Sequence, residues 1–113
     1  LYSGLATLEP TTSAYSTLNE ITGTGYVAGG KVLTVSVQPT LGSNPDNTVA
    51  YWSFSNVTWN PAVFTARAAL IYKVGGSNPT VCVLDFGSDK TCTSVFTIQF
   101  PDANSTNAIL RIA

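Results

Sequence analysis

The sequence predicts an all-β fold, and three observations lead to that prediction. Apolar and polar residues alternate over several short runs, which is the period of a half-buried β-strand. Clusters of Gly, Pro, Asn, Asp and Ser separate these runs and are typical of turns. No stretch combines helical spacing with residues that favour helices. We therefore expect a single domain, residues 1–113, folded as one antiparallel β-sandwich of seven to eight strands, jelly-roll-like or immunoglobulin-like.

The first part of the chain is predicted to contain two strands. The short apolar segment Leu1–Leu8 is the first of them, and the Ser- and Thr-rich residues Glu9–Asn19 form a polar connection. After a glycine-rich segment, Lys31–Gln38 alternates in hydrophobicity and is predicted as the second strand. Pro39 is predicted to end it, because proline cannot donate a hydrogen bond to a strand ladder.

The middle of the chain is predicted to hold two strongly apolar strands. Turn-forming residues fill Leu41–Asn47 and precede a strand at Val49–Phe54. A further break at Asn60-Pro61 precedes Val63–Val74, the longest strand pattern. Its β-branched and aromatic residues favour a strand over a helix.

The last part of the chain is predicted to form a hairpin and a final strand. Val81–Phe86 and Val95–Phe100 pair in this prediction around a turn near Gly87, and Ala108–Ile112 follows them. Inward-facing strand positions, with Trp59, make up the predicted core: Leu33, Val35, Val37, Trp52, Phe54, Trp59, Leu70, Tyr72, Leu84, Phe86, Phe96 and Ile98.

The only two cysteines flank the predicted hairpin turn. If the turn centres near Gly87, Cys82 and Cys92 face each other, and a disulfide requires their Cα atoms to lie within about 7 Å. The sequence leaves two alternatives open, a disulfide or two buried free thiols. Two Cys residues without any His are too few ligands for a four-coordinate zinc site.

A glycine-rich segment, EITGTGYVAGG at residues 20–30, invites interpretation as a phosphate-binding loop. The dinucleotide fingerprint needs G-x-G-x-x-G before a helix, but here the third glycine comes one residue late and a strand follows. A P-loop needs Ser or Thr after Gly-Lys, but Val32 follows Lys31. The segment is therefore predicted to be a structural turn, formed by Glu20, Gly23, Gly25, Tyr26, Gly29 and Gly30.

The composition argues against several classes of function. Only 10% of the residues are charged, against about 25% in an average protein, and the net charge is −1. The five basic residues are scattered, so we expect no nucleic-acid partner and no anionic membrane partner. The chain has no His, the commonest general base and metal ligand, so we expect no enzyme activity and no cofactor.

Three charged residues have more than one interpretation. Asp85 and Asp89 do not match the spacing of an EF-hand calcium loop, and a turn-forming role is favoured for Asp89. Arg67 is a lone cation in the middle of the longest strand pattern. It either pairs with a carboxylate, Glu20 or Asp85, or faces a partner subunit, and the sequence does not choose between these alternatives.

The aromatic residues suggest an alternative from a different functional class. Six of them could form a platform on which a sugar stacks, as in a carbohydrate-binding β-sandwich: Tyr15, Tyr26, Tyr51, Trp52, Trp59 and Tyr72. Core packing is favoured for the two Trp residues. The carbohydrate-binding hypothesis requires these side chains to be exposed.

Several short motifs follow one another in an order that resembles a known family. They are Tyr15, Glu20, Gly23-Thr24-Gly25-Tyr26, Gly29-Gly30, Val57-Thr58-Trp59, Ala66-Arg67-Ala68-Ala69-Leu70-Ile71-Tyr72 and Asp85-Phe86-Gly87. In this order and spacing, from about Leu5 to Ile98, the chain resembles a family of small virion proteins of tailed bacteriophages. The Cys pair is not a feature of that family.

The resemblance implies a non-enzymatic structural role in the virion. It implies a head decoration, or cement, protein on the outer surface of the capsid. Its expected partners are the major capsid protein and further copies of itself, as a homodimer or homotrimer. Family members also include tail, neck and fibre components, which is the alternative within the same class.

Overall fold

The computed structural model describes residues 1–42 and 48–112. Within these residues the chain forms strands and no helix, which confirms the all-β prediction. The strands are β1 (Val35–Leu41), β2 (Ala50–Phe54), β3 (Val57–Trp59), β4 (Phe64–Tyr72), β5 (Thr80–Cys92), β6 (Phe96–Ile98) and β7 (Leu110–Ile112). They form three separate sheets, ordered β1-β2-β7, β3-β6 and β4-β5.

The chain divides into two compact units. The first comprises Leu1–Gly30 and Trp59–Phe96, and the second comprises Lys31–Thr58 and Thr97–Ala113. In the first unit β4 pairs antiparallel with β5. The N-terminal segment makes three bridges to the rest of this unit, from Tyr2 to Ala68, from Ala14 to Pro79 and from Thr24 to Val63. These bridges hold residues 1–30 against β4 and the residues that flank it.

The second unit is built on an antiparallel three-stranded sheet with β2 at its centre. β1 pairs with β2 on one side and β7 pairs with β2 on the other. The ladder between β1 and β2 is interrupted between Val37 and Thr40, and Pro39 lies inside that interruption. Phe54 of β2 packs on Phe100, with ring centroids 5.6 Å apart.

Five predicted strands overlap observed ones at the predicted place, and a sixth is displaced. The observed strand lies inside the predicted one for β2 in Val49–Phe54, β4 in Val63–Val74, β6 in Val95–Phe100 and β7 in Ala108–Ile112. The predicted strand Val81–Phe86 is part of the longer β5. β1 begins and ends later than the predicted Lys31–Gln38, and it continues through Pro39. Proline is tolerated there because Pro39 is unpaired in the irregular ladder, so no hydrogen bond from its nitrogen is needed. The predicted turn at Leu41–Asn47 falls mostly on residues 43–47, which lie outside the described residues.

Two sequence predictions are wrong. Leu1–Leu8 is not a strand, since Tyr2 alone makes bridges. The predicted hairpin of Val81–Phe86 with Val95–Phe100 is absent from the described residues, because β5 runs through the expected turn and pairs with β4 on both sides of it. There Ala68 pairs with Asp85 and Ala66 with Lys90, so four residues of β5 stand opposite one of β4. The turn-forming residues therefore make a bulged excursion within one strand and do not reverse the chain.

The core contains fewer of the predicted residues than expected. Of the predicted core residues, Trp59 is buried, with 4% exposure. The prediction is wrong for Val35, which is 42% exposed. The other ten are half-buried. Most of the other buried apolar residues lie in the N-terminal segment or in and next to β4. The full set, apart from Trp59, is Leu1, Tyr2, Ile21, Val57, Ala62, Phe64, Ala66, Ala68, Ala69, Ile71, Cys92 and Ala108. Small separate sheets cover less of each strand than the single sandwich that the prediction assumed.

The two cysteines do not face each other, because the hairpin that would bring them together does not form. Cys82 pairs with Ile71 and Cys92 pairs with Phe64, at opposite ends of β4. Those partners are seven residue steps apart along the strand, roughly 23 Å, which far exceeds the reach of a disulfide. Both thiols are free, and the Sγ of Cys92 donates to the carbonyl oxygen of Phe64. The disulfide alternative is therefore wrong.

Labelling of thiols is expected to distinguish the two cysteines. In denaturant without reductant, a thiol reagent should add to both, because neither is oxidised. In the native protein Cys82 should react slowly, since it is half-buried and burial raises its pKa. Buried Cys92 should react only after unfolding. Intact-mass spectrometry counts the added groups, and a denatured protein that takes up none would contradict the assignment of free thiols.

Candidate functional site

The residue that organises the glycine-rich segment is Glu20. One of its carboxylate oxygens accepts hydrogen bonds from the hydroxyl of Tyr26, at 2.7 Å, and from the amide of Gly29, at 2.8 Å. The other oxygen accepts from the hydroxyl of Tyr15, at 2.7 Å. These donors come from both sides of Glu20 in the sequence. The carboxylate therefore closes the segment around itself, with charge-assisted hydrogen bonds of the stronger kind.

The cluster around Glu20 extends to β4 through Tyr72. The hydroxyl of Tyr72 donates to the carbonyl oxygen of Gly29, at 2.9 Å. The rings of Tyr15 and Tyr72 stack with centroids 4.6 Å apart and an interplanar angle of 16°. We call Tyr15, Glu20, Tyr26, Gly29 and Tyr72 the tyrosine–carboxylate cluster. It attaches the glycine-rich segment to the strand that carries the centre of the fold.

Hydrogen bonding controls the ionisation of the cluster. Burial would raise the pKa of the Glu20 carboxyl, but the bonds from Tyr26, Tyr15 and Gly29 together outweigh it and hold that pKa below its ordinary value of 4.5. Burial, and then the hydrogen bond to Glu20, raise the pKa of both Tyr15 and Tyr26. At neutral pH the cluster is therefore one carboxylate held by two protonated phenols. It contains no activated nucleophile or base.

Acid is expected to weaken the fold through Glu20. Because its folded-state pKa is depressed, the unfolded chain binds more protons around pH 4, so the stabilisation is full above 4.5 and is lost as pH falls through the folded value. Glu20→Gln should lower the free energy of unfolding at pH 7 by about 1–3 kcal/mol. The variant should also lose less stability than the wild type on acidification.

Urea denaturation at a series of pH values measures this difference. Glu9→Gln makes the same chemical change at an exposed position and is the matched control. If Glu20→Gln and the wild type lose stability in parallel between pH 6 and pH 3, the assignment of the acid dependence to Glu20 is refuted.

Two glycines of the segment lie in direct contact with the backbone after the Asn60-Pro61 cis bond. A Cβ at Gly25, where φ is +82°, would lie 1.7 Å from the carbonyl oxygen of Pro61. A Cβ at Gly23 would lie 2.4 Å from the carbonyl oxygen of Val63. The glycines are therefore required by close backbone approach, in agreement with the predicted structural turn.

Tyr26 joins the cluster to the aromatic core of the first unit. Its ring packs against Phe64 and Trp59, with centroids 5.8 Å and 6.2 Å away. Phe96 contacts both Trp59, at 5.9 Å, and Phe64, at 5.2 Å, and Phe86 packs on Phe96 at 6.0 Å. Offset and edge-on rings at these spacings are the favourable arrangements. Tyr26 thus has a polar end in the cluster and an apolar ring in the core.

Arg67 pairs with Asp85, which was one of its predicted alternatives. Its Nε lies 3.3 Å from Oδ1 of Asp85, and both side chains are well exposed. The same oxygen accepts from the amide of Gly87, at 2.8 Å. The Gly87 amide first, and then Arg67, lower the pKa of Asp85. The Asp-Phe-Gly motif therefore folds as a side-chain-to-backbone turn at the start of the β5 excursion.

A groove of about 360 Å³ lies beside the start of β5 in the first unit. Its lining includes Glu9, Thr12, Thr80 and Cys82. Thr80 Oγ1 is a buried hydroxyl without a hydrogen-bond partner among the described residues. Burial raises the pKa of the Cys82 thiol, and such a thiol is a poor nucleophile at neutral pH. The groove therefore does not present an activated catalytic group.

The proposed sugar platform is divided between several environments. Trp59 is in the core, whereas the rings of Tyr15 and Tyr72 cover each other. Tyr51 and Trp52 are half-buried on neighbouring positions of β2 and therefore point to opposite faces. Trp59 therefore lacks the exposure that the carbohydrate-binding hypothesis requires, and Tyr51 and Trp52 do not share a face.

The sequence analysis identified part of the site and missed its connections. It placed Glu20, Tyr26 and Gly29 in one structural turn, which agrees with the hydrogen bonds. It assigned no role to Tyr2, whose hydroxyl donates to the carbonyl oxygen of Ser16 and which is 3% exposed. A signal was available for Tyr15, since two Tyr residues flank one acidic residue, five before it and six after it.

Two further observations concern metal binding and membrane insertion in the described part of the chain. No group of three or more His, Cys, Asp or Glu side chains there could hold a metal ion. None of its segments is a helix long and apolar enough to cross a membrane.

Comparison with known proteins gives no relative for this chain. No family model matches it, no curated protein matches it, and no solved structure matches it. The functional argument therefore depends on the residues and their contacts.

Proposed function

We propose that this chain is a non-enzymatic structural protein of a tailed-bacteriophage virion. Its role in this proposal is capsid decoration: it binds the outer surface of the major capsid shell as a homo-oligomer and stabilises that shell. The proposal begins from the ordered motifs of the sequence and the family that they resemble. No chemistry of the site is required for it.

One structural observation carries the proposal. The five residues of the tyrosine–carboxylate cluster come from five separate motifs and contact one another: Tyr15, Glu20, Tyr26, Gly29 and Tyr72. Residues that serve only the fold are expected to contact each other in this way, whereas catalytic residues must leave groups free for substrate. The motifs are therefore understood as a structural signature, which is what a virion protein of this family requires.

The surface supports the same proposal. Four large apolar side chains of the first unit are each at least 74% exposed: Leu5, Leu18, Val27 and Val74. Few charges are present to keep such a surface from associating. Exposed apolar side chains are suited to a protein that spends its working life covered by neighbours.

The arrangement of the strands as one β-sandwich, expected from the sequence, is part of the same proposal. We include in the proposal a single antiparallel β-sandwich of the jelly-roll-like or immunoglobulin-like kind. Its support is the all-β content and the antiparallel pairing in the sheets of two and three strands.

Copy number in purified particles tests the proposal. Isotope-labelled peptides of this chain and of the major capsid protein, quantified by mass spectrometry, give the number of copies per particle. Hundreds of copies are expected for a decoration protein. A dozen or fewer would identify a tail, neck or fibre component, and absence from the particles would refute the virion proposal.

A further inference from the structure

On one face of the three-stranded sheet of the second unit, every residue that is paired across strands is apolar. Residues paired across neighbouring strands point to the same side of a sheet. Leu41, Ala50 and Ile112 are paired across all three strands, so they form one row of that face. The other pairs on the same side are Trp52 with Leu110 and Phe54 with Val35. We call these seven residues the apolar face.

The apolar face is exposed on the outer strands of the sheet and partly covered at its centre. Leu41 is 61% exposed, Ile112 65% and Val35 42%, whereas Phe54 of the central strand packs on Phe100. On the opposite side Ser53 is only 1% exposed, but Thr40 and Arg111 on the outer strands are exposed. Both sides are therefore open at the outer strands, and on the apolar face the side chains that meet water there are apolar ones, which a sheet usually buries.

We propose that the apolar face is a self-association surface, on which a second copy of this chain packs the same face. Two such sheets about 10 Å apart would form the two layers of a β-sandwich across the dimer. β2 is the central strand, so Trp52 would lie near the middle of the interface, where aromatic anchors are most effective. The inference uses only this sheet, and it does not depend on the virion proposal.

The chemistry of the face favours a second copy over a charged partner. None of its seven residues carries a charge or a polar side chain that would select a complementary one, apart from the indole N–H of Trp52. A net charge of −1 per chain opposes self-association very little. Two identical apolar surfaces related by a two-fold axis are complementary by symmetry.

The area of the apolar face determines how tightly two copies of the chain are expected to bind. A sheet of three strands up to five paired residues long is about 14 Å wide and about 17 Å long, which is a few hundred Å² of surface. A standard interface takes roughly 800 Å² from each partner. The face is smaller than that, so we expect a weak, reversible dimer that appears only as concentration rises from the upper micromolar range to about 1 mM.

Sedimentation equilibrium from about 1 µM to about 1 mM tests this inference. The wild type should shift from 11.9 kDa to twice that mass. Fluorescence gives a second readout, because Trp52 is half-buried on the face while Trp59 is already in the core. The emission should move to shorter wavelength as the dimer forms.

Two adjacent positions of β1 provide a matched pair of variants. Leu41→Lys places a charge on the apolar face and should weaken the dimer at least tenfold. Thr40→Lys places the same charge on the opposite face, since Thr40 pairs with Tyr51, and should leave the dimer unchanged. Both side chains are exposed, so both variants should fold, and thermal unfolding checks this. A wild type that stays monomeric throughout, or equal weakening by both variants, would overturn the inference.

Discussion

Gly25→Ala is expected to abolish folding or to destabilise the chain by at least about 4 kcal/mol. The new Cβ would lie 1.7 Å from the carbonyl oxygen of Pro61 and 2.8 Å from its carbonyl carbon. The opposing atoms are backbone, which cannot rotate away as the tip of a side chain can. The loss should appear as an unfolded or insoluble protein by circular dichroism, at concentrations where the wild type is folded.

Gly87→Ala is the matched control for the Gly25 prediction. The two glycines have similar φ, +76° at Gly87 and +82° at Gly25, but a Cβ at Gly87 would meet nothing within 4 Å. This control carries the strain of the left-handed backbone without the collision, and about 1–2 kcal/mol is expected. Equal losses in the two variants would show that backbone conformation alone explains the requirement for glycine.

Trp59→Ala is expected to destabilise the chain by roughly 3–5 kcal/mol. Trp59 is 4% exposed and its ring lies within 6.4 Å of those of Tyr26, Phe64 and Phe96. Its removal leaves a cavity in the centre of the aromatic core, and it also removes the edge-on ring contacts. Chemical denaturation at neutral pH, with the m-value checked for two-state behaviour, measures the loss.

Trp52→Ala is the control for Trp59→Ala, because it removes a Trp side chain that is only half-buried. Trp52 is half-buried on the apolar face of the second unit, so at monomeric concentrations its loss should cost only about 1–2 kcal/mol. A loss below about 1 kcal/mol for Trp59→Ala would show that the core is not organised around that ring.

Local rules explain what could be predicted of the fold. The apolar run at β2, the period of two in β4 and the turn residues between them depend only on neighbours in the sequence. The requirement for glycine at Gly23 and Gly25 was also visible locally, because dense glycine marks unusual backbone. The burial of Trp59 followed from the same reasoning.

The failures concern contacts between distant residues. The residues around Gly87 have the composition of a hairpin turn, but the pairing of β5 with β4 on both sides of them makes them a bulge. Because the hairpin does not form, Cys82 and Cys92 do not come close enough for a disulfide. No local pattern distinguishes a turn from a bulge, since both need the same permissive residues.

The candidate site shows the same division. The sequence indicated that Glu20 belongs to a structural turn and left Arg67 with three alternatives. The structure selected Asp85 for Arg67, and for Glu20 it selected the hydroxyl groups of Tyr15 and Tyr26. Which donor reaches a carboxylate depends on how the chain closes on itself over many residues, and spacing in the sequence does not encode this.

By itself, then, the sequence determined the all-β class, the strands with strongly apolar runs and the glycines that the turn requires, because each depends on a few neighbouring residues. Tertiary structure alone decided which strands pair, which cation meets which carboxylate, and which apolar residues of the β1-β2-β7 sheet remain exposed. Those outcomes depend on long-range pairing, in which each loop closure competes with others of similar entropy. The residues of the apolar face have the composition of a core, and only the fold reveals that Leu41, Ile112 and Val35 among them are exposed.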